Sequence, residues 1–445
     1  MDEIMRPNDA EANADNMGGG DNILRPPPAF VQAALERAKA SAEKRRKNDW
    51  CTMLERNERG EARATSANAL IALQNAEELQ GIVAIDEMED AAMVMRALPD
   101  HEDDDATFPR LFSDVDVTRV QVWIQQNGIP TMTYDALYKV MMMEATRLSY
   151  HPVKEWLTSL RWDGVKRIDT LLPNIFMSHD TPYARDVGRK FLIAMVARVM
   201  NPGCKMDYML ILEGKQGVRK STACNILGGP WFSDSLPDLR HGGKDVSQHI
   251  KGKWLIEVAE MSALDKSDAN ALKSFITRAV ERYRPSYGRT DIKQPRQCVF
   301  VGTTNQSAYL RDETGARRFW PIEVGISGPI DIERLTMERE QLFAEALAAW
   351  ENGEKYWPTT KEQEDTYATE QEKRQETDEW GSVVMAYLMD KQSSKIRILD
   401  IAEYALDIKP KDVGTTTSRR LASIMRKLGW ERTHTEYGKR WVKRK

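Results

Sequence analysis

The sequence predicts an α/β protein built on a phosphate-binding core, with a small amino-terminal α/β module, a helical connecting region and a carboxy-terminal winged-helix-like domain. Three observations carry this. Residues 209–222, MLILEGKQGVRKST, join a short apolar run to a glycine-bearing turn and a Lys-Ser-Thr triplet. Two later apolar runs, residues 253–261 (KWLIEVAEM) and 297–305 (QCVFVGTTN), end in acidic or polar residues as strands feeding a site do. The stretch between 111 and 200 follows the 3.6-residue period of amphipathic helices, and the last residues alternate helical patterns with two short strands.

Composition sets the outer limits. At 445 residues the chain exceeds the ~100–200 residues of one domain, so two to four units are expected. A net charge of -4 gives no global nucleic-acid signature, and any basic surface must be local. The four cysteines, Cys51, Cys204, Cys224 and Cys298, form no C-x-x-C pair or metal spacing, which fits a reducing cytoplasm. The longest apolar run, residues 191–200, is interrupted by Arg198 and falls short of the ~20 residues a membrane span needs. The acidic, polar amino terminus does not read as a signal peptide, and the six histidines are scattered and take no catalytic or metal role.

In chain order, residues 1–46 read as a flexible tail with helical character over 29–46. Residues 47–105 read as the small α/β module: a hairpin turn at 57–60, a helix capped by Ser66 and running to Leu79, a strand over 81–86, and an acidic linker at 100–105. Residues 106–186 read as the helical region, with turns at 150–152 and 162–164; across 111–200 the helices over 133–148 and 187–200 are the clearest. Residues 187–360 hold the phosphate-binding core.

That core begins as a P-loop begins. The spacing from Gly214 to Lys220 and Ser221 is that of G-x-x-x-x-G-K-[ST], whose backbone N–H groups wrap phosphate oxygens. Gly214, Gly217, Val218, Arg219, Lys220, Ser221 and Thr222 are therefore the candidate nucleotide-binding residues. Lys220 would reach the β- and γ-phosphates of ATP, Ser221 would offer its hydroxyl to Mg²⁺, and the helix starting there would aim its positive end at the polyanion. Arg219 stands where the last glycine of the pattern is expected, so its side chain must point away from the phosphates.

Glu257 and Glu260 supply the two carboxylates such a site needs, one for Mg²⁺ and one to polarise water. Three residues cannot put both on one face of a regular strand, so one lies where the strand breaks. Ser221 and Glu257 are the candidate metal ligands, with the division of roles between the two glutamates left open. Asn305 ends its strand where it could orient water. Between the two strands, residues 279–296 carry Arg282, Arg284, Arg289, Lys293 and Arg296 around Tyr283 and Tyr287, a basic and aromatic mixture suited to single-stranded nucleic acid. Arg284, Tyr287, Arg289 and Lys293 are the candidate contacts. Arg317 and Arg318 precede a strand, from which a guanidinium could reach a neighbour's γ-phosphate.

Taken in order, the P-loop, the ExxE strand, the basic hairpin, GTTN and RRFWPIEV resemble the virulence-associated E-like ATPases of phages and mobile elements, within helicase superfamily 3. Residues 150–162 (YHPVKEWLTSLRW), 197–205 (ARVMNPGCK) and 273–289 look like further strings of that family, and the resemblance covers roughly residues 47–360. It implies an AAA+ fold and a hexameric, ATP-dependent DNA helicase acting in replication. By the resemblance, Gly214, Gly217, Lys220, Ser221 and Thr222 are the Walker A residues and Glu257 and Glu260 the Walker B carboxylates. Asn305 matches the polar sensor, and Arg318, with Arg317 beside it, the arginine finger. The segment 284–293 matches the DNA-contacting hairpin, with Arg289 near its tip. No primase-like domain is legible, so a separate primase is an expected partner, beside single-stranded and fork DNA and further copies of the chain.

Residues 361–445 read as a charged linker over 361–379 followed by the winged-helix-like domain, rich in Arg and Lys that suit phosphate contacts. Two alternatives stay open from sequence: a nucleotide-switched DNA-binding assembly protein with little hydrolysis, and an ATPase that remodels or packages DNA without separating strands.

Overall fold

The structure is a computed structural model that describes residues 50–99, 107–240, 243–261, 266–284, 291–307, 309–310, 316–375, 379–391, 395–435 and 438–443. The amino-terminal tail and the acidic linker at 100–105 lie outside the described residues. The chain divides into two compact units, one within residues 1–305 and 318–366, the other within 306–317 and 367–445.

The first unit opens with helix α1 (Ser66–Asn75). Its N-cap is Thr65, not Ser66: Thr65 is extended, and its hydroxyl accepts from Asn68 N at 3.2 Å. The helix stops at Asn75, short of Leu79, because Ala76 turns to extended backbone. Strands β1 (Val83–Asp86), β2 (Ala91–Val94) and β3 (Arg110–Leu111) form a small antiparallel sheet. Helices α2 (Asp114–Gln126) and α3 (Tyr134–Arg147) follow. Leu73, Val83, Val94, Val117, Val120, Ile124, Leu137 and Met141 share one apolar core across these elements. The expected hairpin at 57–60 is a tight turn closed by a single bridge, Arg56 to Ala62, with Asn57 Oδ1 accepting from Arg59 N and Glu61 N. Tyr150 then donates its N–H to Ile85 O (2.9 Å), and His151 caps α4 (Pro152–Ser159), a helix the turn reading did not include.

After α5 (Pro182–Met200), strand β4 (Met209–Glu213) runs into helix α6 (Lys220–Gly228). Strand β5 (Phe232–Ser233), helix α7 (Gly243–His249), strand β6 (Leu255–Val258) and helix α8 (Lys266–Ile276) follow. Next come β7 (Val280–Tyr283), β8 (Ile292–Pro295), β9 (Val299–Thr304), β10 (Phe319–Glu323) and α9 (Ile332–Glu351). Five strands form one parallel sheet in the order β10-β4-β9-β6-β5. β4, β6 and β9 are buried throughout, which is why they read as continuous apolar runs without alternation. Arg339 of α9 is buried and donates from Nε to Ile226 O at 2.7 Å, so a cation closes the carboxyl end of α6. β7 and β8 pair antiparallel as a separate hairpin.

The second unit has its own core, including Val384, Ile401, Leu421, Met425, Trp430 and Trp441. Helix α10 (Lys361–Lys373) precedes it, where the sequence suggested a charged linker. Charge does not preclude helix there, because Lys361 pairs with Asp365 at 2.6 Å and Glu370 with Arg374, both four residues apart. The unit continues with α11 (Glu379–Lys391), β11 (Lys395–Ile396), α12 (Ile398–Leu406), α13 (Thr415–Lys427), β12 (Trp430–Thr435) and β13 (Gly438–Lys443). Its sheet is antiparallel in the order β11-β13-β12. No helix among the described residues is long and apolar enough to cross a membrane.

Candidate active site

β4 and β9 are parallel neighbours with Glu213 opposite Thr304, so both strands end level at one edge of the sheet. The loop leaving β4 is shaped by two glycines. A Cβ on Gly214 would lie 2.6 Å from the carbonyl oxygen of Val324, and Gly217 has φ +85. Arg219 is the N-cap of α6 at φ 69, ψ 31, the left-handed conformation for which glycine is the usual residue, and it is exposed. The loop thus adopts glycine-like geometry at the position where glycine is missing. Val218 is half-buried, and its carbonyl accepts from Ile330 N (3.2 Å).

Lys220 is buried and folds back on the loop. Its Nζ donates to Gly214 O (2.6 Å), Lys215 O (3.0 Å) and Asn305 Oδ1 (3.0 Å). Burial lowers the pKa of this ammonium, while the Glu257 carboxylate opposes the shift. Ser221 and Thr222 are exposed at the start of α6. Ser221 Oγ donates to Glu257 Oε1 at 2.7 Å, and Thr303 Oγ1 donates to the same oxygen at 2.7 Å. Glu257 is only 1% exposed, yet its Oε2 has no hydrogen-bond partner among the described residues. A buried carboxylate oxygen left bare beside a hydroxyl suits a hard cation, which takes oxygen ligands.

The two glutamates separate cleanly in space. Glu257 sits within β6, whereas Glu260 lies beyond the strand's end, exposed, at φ 51. Thr303 was not among the residues singled out from sequence. Its signal was the second position of GTTN, two residues before Asn305.

Arg317 and Arg318 are not brought to this edge. They close a short 3₁₀ turn (Ala316–Arg318) at the start of β10, and β10 runs parallel to β4 with Phe319 opposite Met209 and Glu323 opposite Glu213. At ~3.3 Å per residue the strand carries Arg318 roughly 16 Å from the loop, at the opposite edge of the sheet. Of the basic hairpin, Arg284 and Lys293 are exposed, while Tyr287 and Arg289 lie outside the described residues. Arg296 does not belong with them: it is buried, meets Glu281 at 2.5 Å, donates from NH1 to Phe275 O at 2.5 Å, and lies 4.1 Å over the Phe275 ring.

Strand order supplies the class. The loop strand β4 and the carboxylate strand β6 are separated by β9, which delivers Asn305 between them; this five-stranded parallel sheet is the core of an AAA+ P-loop ATPase fold. Residues 157–376 match the model of the virulence-associated protein E-like domain. No curated protein matches the chain. Among solved structures, the apo C-terminal region of NrS-1 is similar at 14% identity and a TM-score of 0.46, over 81% of this chain and 95% of that one. A second apo form of that region aligns at 15% identity and a TM-score of 0.39, over 65% and 78%. A Thermotoga maritima RuvB mutant aligns at 14% identity and a TM-score of 0.23, over 58% and 91%.

Proposed function

We propose that this chain is an ATP-dependent DNA helicase of the superfamily 3 type that acts in replication of a phage or mobile genetic element and translocates on single-stranded DNA as a homohexameric ring in the bacterial cytoplasm. The observation that carries this reading is the contact of Ser221 with Glu257, beside Lys220, with one oxygen of Glu257 buried and bare. Loop, hydroxyl and carboxylate suit a magnesium–nucleotide site, in which Ser221 and Glu257 would hold the ion. Mg²⁺ bound there would supply positive charge to the phosphoryl oxygens. Lys220, which now satisfies loop carbonyls and Asn305, would turn to the β- and γ-phosphates. Asn305 would then be released to orient the attacking water, with Glu260 as the further carboxylate expected from sequence.

The position of Arg318 supports assembly. About 16 Å of strand separates it from its own P-loop, so it can serve only a neighbour's γ-phosphate, as a head-to-tail ring allows. Exposed Arg284 and Lys293 on the hairpin suit a backbone-tracking contact to single-stranded DNA. In the second unit, the element order and the exposed Arg419, Arg426 and Arg432 suit a winged-helix-like phosphate contact, and priming would come from a separate polypeptide.

Forked-duplex unwinding with ATP and Mg²⁺, with phosphate release read in the same tubes, tests the reading against Lys220→Ala. Unwinding by the wild type alone supports it. Phosphate release without unwinding points to a remodelling or packaging ATPase, and neither activity points to a nucleotide-switched assembly protein.

A further inference from the structure

We propose that Asp234 is the general base of this site, the carboxylate that takes the proton from the attacking water; the proposal rests on the ATPase reading above. β5 and β6 are parallel with Phe232 opposite Leu255 and Ser233 opposite Ile256, so one further residue along puts Asp234 level with Glu257 on the adjoining strand. Adjacent strands lie ~4.8 Å apart, and registered residues share a face. Alternation along the strand agrees with this placement. The Ser233 hydroxyl lies 3.0 Å from His249 Nε2, on the face it shares with Ile256, which leaves Asp234 on the face of Glu257.

The two carboxylates line one cavity of about 350 Å³, together with Asp238, Arg240, Asp268 and Leu272. The other charged groups there hold one another: Arg240 Nε is 2.7 Å from Asp268 Oδ1, and Asp238 Oδ1 accepts from Arg240 N at 2.7 Å. Asp234 is exposed and has no hydrogen-bond or ion-pair partner among the described residues. Glu257 is a poor base, since its Oε1 already accepts from Ser221 and Thr303 and its other oxygen suits the cation. Glu260 lies past the strand's end and does not line the cavity.

In the step, the water oxygen bonds to the γ-phosphorus as the bond from that phosphorus to the β–γ bridging oxygen breaks. ADP leaves with the bridging oxygen, one water proton goes to Asp234, and that proton then passes to solvent.

The test is single-turnover phosphate release by wild type, Asp234→Asn and Glu260→Gln, with binding of a fluorescent ATP analogue read alongside. Asp234→Asn is expected to slow release at least ~100-fold with analogue affinity within about 3-fold, a larger loss of turnover than that of Glu260→Gln. Turnover retained by Asp234→Asn, a parallel loss of analogue binding, or the loss falling on Glu260→Gln instead overturns the proposal. Should Asp234→Asn fail to fold, Asp234→Glu decides: the acid limb of its pH–rate profile must move from that of the wild type, and an unmoved limb overturns the assignment. A wild type with no turnover removes the ATPase reading and the base with it. An active wild type beside an unimpaired Asp234→Asn removes only the base.

Discussion

Lys220 and Asn305 meet at 3.0 Å, joining the start of α6 to the end of β9. The bond is more than a strut. It occupies the two groups that a nucleotide would need, and Lys220 also satisfies two loop carbonyls, so phosphate binding must exchange three bonds to neutral oxygens for bonds to anionic ones.

That exchange separates two substitutions. Lys220→Ala removes the cation and is expected to abolish measurable ATP binding and turnover. Asn305→Ala leaves Lys220 two of its three acceptors and should keep ATP affinity within about 3-fold while lowering turnover on the order of 100-fold. Isothermal titration with ATP and a phosphate-release assay distinguish the two. Equal loss of affinity in both would mean Asn305 serves only to hold the lysine.

Arg219 holds a left-handed backbone at φ 69 that costs a non-glycine residue about 1–2 kcal/mol. Arg219→Gly removes that strain but loosens the unfolded chain, so stability is expected to change by less than about 1 kcal/mol with ATP binding retained. Arg219→Val, β-branched at the same backbone angles, should destabilise by roughly 1–2 kcal/mol. Thermal unfolding with and without ATP reads both. A destabilised glycine variant would show that the Arg219 side chain, not its backbone, supports the loop.

Asp86 ends β1 with its carboxyl pushed up to about 6 by burial, despite accepting from Met88 N and Glu89 N. A raised carboxyl pKa favours the protonated folded state. Its contribution is therefore full below the unfolded value of 3.8 and is lost as pH rises to about 6. Asp86→Asn keeps an oxygen for the two N–H groups and removes the buried charge. It should gain roughly 1–2 kcal/mol near pH 7.5 and progressively less toward pH 4, as read by thermal melts across that range. A gain that does not vary with pH would rule out titration of Asp86 as its source.

The strands of the core were legible because burial on both faces makes β4, β6 and β9 continuous apolar runs, and the loop was legible because its glycines and lysine stand at fixed spacing. What sequence could not supply is what depends on register. Only the pairing of β5 with β6 puts Asp234 beside Glu257, some twenty positions away in the chain. Thr303 likewise joins the site only because β9 lies between β4 and β6. The helix α10 was hidden for another reason: its charges form ion pairs four residues apart and it buries only Tyr367 and Gln371 among its described residues, a pattern that composition alone reads as solvated linker.

The arginines of the basic stretch look alike in sequence and divide in the structure, which gives the sharpest test of the hairpin. Arg284 and Lys293 are exposed, and replacing both by alanine should leave the melting temperature nearly unchanged. Each lost phosphate contact should flatten the slope of log affinity against log salt by about 0.7 for single-stranded DNA, so the double variant should lose about 1.4. Arg296 is the opposite case. It is buried against Glu281 and Phe275, so Arg296→Ala leaves that carboxylate with Ser247 Oγ at 2.7 Å and the more distant Arg278 at 3.6 Å, and the fold should lose on the order of 2–4 kcal/mol. Fluorescence anisotropy across a salt series, run beside thermal melts, reads both effects. If the exposed pair left the salt slope untouched while Arg296→Ala weakened binding without loss of stability, the DNA contact would have to be sought away from the exposed strand ends of this hairpin.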